Sequence, residues 1–253
     1  MKVVCRSRAA AEWLALLDPE PGWLEPFNEE KPLVCDLLVL PGEIEPDGRS
    51  VDVLPVERQH GQGPGPRAGR VLIWAPHTLK STLDHALRLA RLTGRLPGLM
   101  ALLAGREAEL GKLTSYVAKL ERPTGACLFF DGTWSVMGAW GPDLIDRAGG
   151  RPLLQDSGDP HVELIPGDVS RSRPDVLFLA CDDMKIAEAL LNGSGNPPAV
   201  SYLQRAYILP PDRMLYGGPS LHNLIFSMAA AFHPSAPGIS VHPNPLRRID
   251  LSD

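Results

Sequence analysis

The sequence predicts an α/β protein of two lobes built on parallel sheets and joined by one long helix. Two observations lead there. Short apolar runs alternate with amphipathic stretches along most of the chain, the order that yields βα units and parallel sheets. That order restarts after one long apolar-striped stretch, residues 98–120. The expected boundaries are 1–97 for the N-terminal lobe, 98–122 for the linking helix and 123–253 for the C-terminal lobe.

Taken in order, LVCDLLVL at 33–40 reads as a buried strand stopped by Pro41-Gly42. Residues 43–70 are rich in Gly, Pro and polar residues and read as a loop. Gly61, Gly63 and Gly65 in that loop do not form a phosphate cradle, because Pro64 and Pro66 remove amide donors and no helix opens behind them. VLIWA at 71–75 is the second strand, and Thr78 is placed to cap a helix with Leu79, Leu83, Ala86, Leu87 and Ala90 on one face. Gly94 stops it. Along the long helix, Leu99, Leu102, Leu103, Leu110, Leu113, Val117 and Leu120 form the apolar stripe. Beyond Pro123 come strand 126–130, helix 141–148, strand 175–181, helix 184–192, strand 206–209 and helix 219–232. Residues 234–253 show no pattern.

Composition removes several functional classes. Twenty-five Lys and Arg stand against 30 Asp and Glu, a net charge of −5 with no basic stripe, which argues against nucleic-acid binding. No stretch reaches the roughly 18 apolar residues a membrane-spanning helix needs. The N-terminus lacks a secretory pattern, since Arg6, Arg8 and Glu12 break its apolar run. As written, the chain is expected to stay in the cytoplasm; with a leader removed it would be periplasmic or extracellular. The four cysteines form no CxxC pair, which disfavours structural zinc, and Cys35, Cys127 and Cys181 sit in apolar runs as expected of buried reduced thiols. No HxH, HExxH or GxSxG spacing occurs, so no motif supports a resident metal, a cofactor or an enzyme.

Ligands of open α/β sheets bind outside the carboxyl ends of the strands. The ends available are Pro41-Gly42-Glu43, Ala75-Pro76-His77, Asp131 to Trp134, and Asp182-Asp183, with PPDRMLYGG at 210–218 as a fifth loop. Trp74, Trp134 and Trp140 lie near such ends, where they either stack on a flat ligand or plug the lobe cores. Asp182-Asp183 reads as a ligand pair or as the N-cap of the next helix. Of the seven histidines, only His77 and His222 fall near these loops.

Three segments, 71–95, 125–154 followed by 173–181, and 205–234, carry a resemblance to a family. The most specific part is Gly138-x-Trp140-x-Pro142-Asp143-Leu144-Ile145, closing on Ala148-Gly149-Gly150. Arg173-Pro174-Asp175-Val176-x-Phe178-Leu179 and Gly218-Pro219-x-Leu221 add to it, and CDLLVLPG at 35–42 does so more weakly. Together they resemble the substrate-binding proteins of ABC importers for cobalamin and iron-siderophores. The resemblance implies two Rossmann-like lobes with a ligand cleft between them, and binding rather than turnover. It implies a cobalamin or iron chelate as ligand, stacked on Trp74, Trp134 and Tyr216, with polar contacts from Asp131, Thr133, Asp182 and Arg213. It also implies docking onto an ABC permease, with Glu43 and Glu188 as loosely matched docking acids.

Two departures from the family pattern stand out. Ser220 replaces the arginine that usually follows Gly-Pro. Nothing matches the opening strand and helix, and residues 3–13 resemble the strand that comes after them. A lobe lacking that first unit is expected to need a second copy or another chain at its open edge. These departures keep a second function open: a cytoplasmic homologue recruited as a carrier, sensor or enzyme subunit. An enzyme using His77, Asp131 and Asp182 is a third, with least support.

Overall fold

The computed structural model describes residues 3–5, 7–18, 24–26, 34–41, 67–165, 167–191, 203, 205–211, 214, 217–239 and 246–249. The chain divides into two compact units, Met1–Ala104 and Gly105–Asp253. Among the described residues no helix is long and apolar enough to cross a membrane.

The N-terminal unit is built on four parallel strands: β1 (Val3–Cys5), β2 (Leu24–Pro26), β3 (Val34–Pro41) and β4 (Arg67–Trp74), in the order β2-β1-β3-β4. Leu37 and Val39 of β3 and Leu72 and Trp74 of β4 recur at every second residue and are buried, as one sheet face requires. Helix α1 (Arg8–Leu17) covers them with Trp13 and Leu14, and α2 (Leu79–Leu92) with Ala86, Leu89 and Ala90. β4 starts four residues before the apolar run that predicted it. Its first residues are set by the ladder to β3, where Val34 pairs with Arg67, and not by side-chain hydrophobicity. The rest of the expected 43–70 loop, and Glu43 with it, lies outside the described residues.

Residues 3–13 are not one strand. Only Val3–Cys5 is extended; Ser7 then caps α1, its hydroxyl accepting the Ala10 amide at 3.4 Å. Ala9, Ala10, Trp13 and Leu14 are buried at helical spacing, so the period is that of a helix.

α2 begins where Thr78 predicts. The Thr78 hydroxyl accepts the Ser81 amide at 2.9 Å, and the Ser81 hydroxyl accepts the Thr78 amide at 2.8 Å, a capping box with serine in the usual glutamate position. It ends at Gly94, whose φ of 71° lets the Arg95 amide reach Ala90 O (2.7 Å) and the Gly94 amide reach Arg91 O (3.3 Å). The Arg95 guanidinium then holds Asp18 at the end of α1, 2.7 Å away.

α3 (Leu96–Val117) has 22 residues, about 33 Å at 1.5 Å per residue. It starts two residues before the expected helix and stops short of Leu120. The boundary between the units falls inside it. Leu99 joins the N-terminal core, while Leu110, Leu113 and Val117 are buried in the second half.

The C-terminal unit holds β5 (Thr124–Phe130), β6 (Trp134–Val136), β7 (Arg151–Pro152), β8 (Val162–Glu163), β9 (Val176–Ala180), β10 (Arg205–Leu209) and β11 (Arg247–Ile249). The sheet order is β11-β10-β9-β5-β6-β8, with β7 also on β5. This sheet is mixed, which corrects the expectation of a parallel one. β5, β7, β9 and β10 run parallel, but the pairs β5–β6, β6–β8 and β10–β11 are antiparallel. Only Asp131-Gly132-Thr133 separates β5 from β6, too short for a crossover and enough for a hairpin. Among the described residues the unit also has helices α4 (Gly141–Arg147), α5 (Asp168–Ser172), α6 (Met184–Leu191) and α7 (Ser220–Phe232). The second half of α3 holds the start of α7: Arg106 donates to Pro219 O at 3.1 Å, and His222 Nε2 lies 3.1 Å from Glu109 Oε2.

Two glycines of the family-like segment are demanded by packing. A Cβ on Gly138 would collide with the carbonyl oxygens of Asp159 and Pro160. Gly149 has φ 86°, and a Cβ there would stand 2.7 Å from Val117 Cβ. At the foot of the sheet, Asp175 Oδ2 accepts the Thr124 amide and hydroxyl, each at 2.7 Å, and the Asp175 amide returns to Thr124 Oγ1 at 3.0 Å. Burial pushes the Asp175 carboxyl up. The two Thr124 hydrogen bonds and the charges of Arg205 and Arg151 outweigh it, leaving the group below its ordinary value.

Gly94→Ala is expected to cost about 1–2 kcal/mol from backbone strain alone, because nothing lies within 4 Å of the added carbon. Gly149→Ala adds a collision with Val117 and is expected to cost about 1–3 kcal/mol more. Urea unfolding of the two variants checks the order. Because the folded Asp175 carboxyl sits below its unfolded value, its contribution is present above about pH 4 and fades as pH falls through the folded value. Asp175 is exposed, so Asp175→Asn is expected to lose under about 1 kcal/mol at pH 7 and progressively less as pH falls below about 4. Unfolding curves across that range read the difference.

Candidate functional site

In the N-terminal unit, β3 and β4 end level, Pro41 pairing with Trp74, while β1 stops two residues earlier, Cys5 pairing with Val39 and Val39 with Leu72. The segment leaving β4 is Ala75-Pro76-His77, and α2 starts directly behind it. His77 is half-buried, and its backbone amide is fixed by the Ser81 hydroxyl at 2.9 Å. Trp74 is only 4 % exposed. Its ring packs against His85, with centroids 5.6 Å apart at 66°, inside the unit's own core. Its indole Nε1 is buried without a hydrogen-bond partner. His85 donates from Nδ1 to Ser81 O at 2.7 Å, and burial holds its pKa below the ordinary value, so it is neutral.

In the C-terminal unit, the ladders set the carboxyl edge. Phe129 of β5 pairs with Ala180 of β9, and Ala180 with Leu209 of β10. Asp131 and Asp182 each lie two residues past that paired row, on neighbouring strands. Both are exposed, as is Thr133 in the hairpin turn. Asp183 is differently used: its carboxylate accepts the Lys185 amide at 2.9 Å and caps α6. The two acids read together in the sequence therefore divide into one cap and one exposed edge residue.

Trp134 does not present a ring face at that edge. It is 7 % exposed, lies in β6, and packs on Phe130 at 5.3 Å among Leu128, Val136 and Leu164. Trp140 is 5 % exposed, and its Nε1 donates to Met214 O at 2.7 Å. All three tryptophans are thus buried within their own units. Tyr216 and Arg213 lie outside the described residues. Glu188 is exposed on α6.

One residue here was not picked out by sequence. His161 lies beside the β5–β6 hairpin, its ring edge-on to Phe129 at 4.9 Å, and its Nδ1 accepts the Gly138 amide at 3.1 Å. Nothing at the sequence level marks it, because its partners are a backbone amide and a strand residue more than twenty positions away. Among the described residues no group of three or more His, Cys, Asp or Glu could hold a metal ion. The described thiols are poor nucleophiles: burial pushes Cys127 far up and Cys5 and Cys181 to about 11.

No family model and no curated protein matches the sequence. Solved structures do. A periplasmic heme-binding protein from Pseudomonas aeruginosa superposes with a TM-score of 0.70 at 19 % identity, over 98 % of both chains. The periplasmic heme-binding protein RhuT from Roseiflexus sp. RS-1 matches with a TM-score of 0.65 at 18 % identity, over 93 % of this chain and 98 % of its own. The siderophore-binding protein FhuD from Vibrio cholerae, solved with Fe3+-Desferal, matches with a TM-score of 0.63 at 14 % identity, over 94 % and 99 %. The chain has the α/β fold of the periplasmic heme- and siderophore-binding proteins.

Proposed function

We propose that this protein is a substrate-binding protein that captures an iron chelate, heme in the first instance, for an ABC importer. The observation that carries the reading is the match to heme-binding proteins over nearly the whole of both chains, at the level of fold. The activity is binding, with no bond made or broken in the ligand. In the N-terminal unit the group that suits an iron centre is His77, a half-buried imidazole at the carboxyl end of β4. In the C-terminal unit, Thr133, Asp131 and Asp182 offer hydroxyl and carboxylate contacts at the carboxyl edge. From sequence, Arg213 supplies a cation for a ligand carboxylate and Tyr216 an aromatic face. Exposed Glu188, with Glu43, is the proposed docking acid toward a permease. The structural matches named above bind heme or a ferric siderophore, and cobalamin enters here as a comparison ligand.

Titrating the protein with hemin is expected to shift and sharpen the Soret band, and His77→Ala to weaken binding at least about tenfold, a loss of about 1.4 kcal/mol. Saturable binding of ferrioxamine with no hemin response moves the assignment to siderophores. Binding of cyanocobalamin alone moves it to corrinoids, and silence with all three overturns it. Glu188→Lys is expected to leave ligand affinity unchanged while lowering ligand uptake in cells carrying the cognate permease, read with labelled ligand.

A further inference from the structure

The segment between β7 and β8 folds back on the residues that lead into α4. The Ala139 amide donates to Asp159 O at 2.6 Å, and the Gly158 amide to Ala139 O at 2.9 Å. Between them, Gly138 is pressed so close to Asp159 and Pro160 that no side chain fits. Its amide donates to His161 Nδ1 at 3.1 Å. A backbone amide can only donate, so His161 Nδ1 carries no proton and the neutral ring holds its proton on Nε2. Protonating the ring would set two N–H groups against each other with no acceptor between them.

We propose that residues 156–161 form an acid-released latch, held shut by the hydrogen bond from Gly138 to neutral His161 and freed when that imidazole takes up a proton. The charge that acts on the ring is Asp131 from the β5–β6 hairpin; the other carboxylates of these elements are Asp156 and Asp159 on the segment itself and Glu163 on β8, all exposed. Asp159 is turned toward its own loop, where its carboxylate accepts the Asp156 amide at 3.3 Å. His161 is exposed at the surface, and the partial shielding of its ring on the Phe129 side disfavours the imidazolium while Asp131 favours it; the first effect is the stronger, so the folded pKa lies below the ordinary 6.5. The latch is therefore fully shut above about pH 6.5 and opens as pH falls through the lower folded value. Two residues beyond His161, β8 pairs with β6, Glu163 opposite Ser135, so opening loosens the outer side of the hairpin that ends in Asp131 and Thr133. The proposal gives the C-terminal unit a response to acid and does not depend on which ligand binds.

The test is amide exchange and imidazole 15N NMR on the full chain between pH 8 and 5. Across the His161 titration, protection of the Gly138 amide is expected to fall at least tenfold while amides of β9 hold. In His161→Asn, whose side-chain oxygen accepts the same bond and does not titrate, that fall is expected to vanish. Constant Gly138 protection in the wild type, an equal fall in His161→Asn, or a wild-type ring protonated on Nδ1 at pH 8 would each overturn the latch. Should the variant fail to fold, the wild-type exchange and tautomer measurements decide alone.

Discussion

The double parallel ladder of β9 fixes where Asp131 and Asp182 stand at the carboxyl edge of the C-terminal sheet. All five of its residues are buried, and it pairs in register with β5 on one side and β10 on the other. A shift of two residues on either side would move Asp131 or Asp182 back into the sheet and draw an apolar residue out. The register is pinned at its lower end by the reciprocal bonds between Thr124 and Asp175 and closed over by Phe178 against Phe232 and Tyr207. The polar edge is thus a by-product of a core that permits one alignment.

Much of this was legible in the sequence, and the legible part had a period. The stripe Leu83, Ala86, Leu87 and Ala90 identifies α2, Thr78 and Gly94 mark its ends, and VLFLA marks β9. Apart from α1, whose helical period lay in a segment read as strand, what escaped had no room for a period. β6, β7 and β8 have two or three residues each, and their strand character comes from partners across the sheet. The same holds for Arg67 to Arg70 of β4. At the candidate site, exposure of Asp131, Thr133 and Asp182 followed from strand ends. The fate of Trp74 and Trp134 did not, because whether a ring at a strand end faces a ligand or a core depends on the next layer, which single-sequence spacing does not encode.

Two glycines of the segment 138–150 are held in place by packing. Gly138 has a backbone carbonyl where a side chain would go, and Gly149 combines positive φ with a methyl group of Val117 at its flank. Both positions are answers to packing within the C-terminal unit. Such a motif reports the fold and is silent about the ligand. The side chains that would choose a ligand sit in the strand-end loops, where the backbone tolerates many residues. Fold and ligand are therefore written in different parts of this chain.

The buried thiols have a practical consequence for anyone wishing to watch this molecule work. Maleimides attack thiolate, and Cys5, Cys127 and Cys181 are all held as thiols at neutral pH by burial. A cysteine placed at exposed Thr133 would carry an ordinary thiol among these inert ones. A fluorophore attached there would stand at the carboxyl edge of the C-terminal sheet, beside the residues proposed above for ligand contact, and would read binding at that proposed site as a change in brightness.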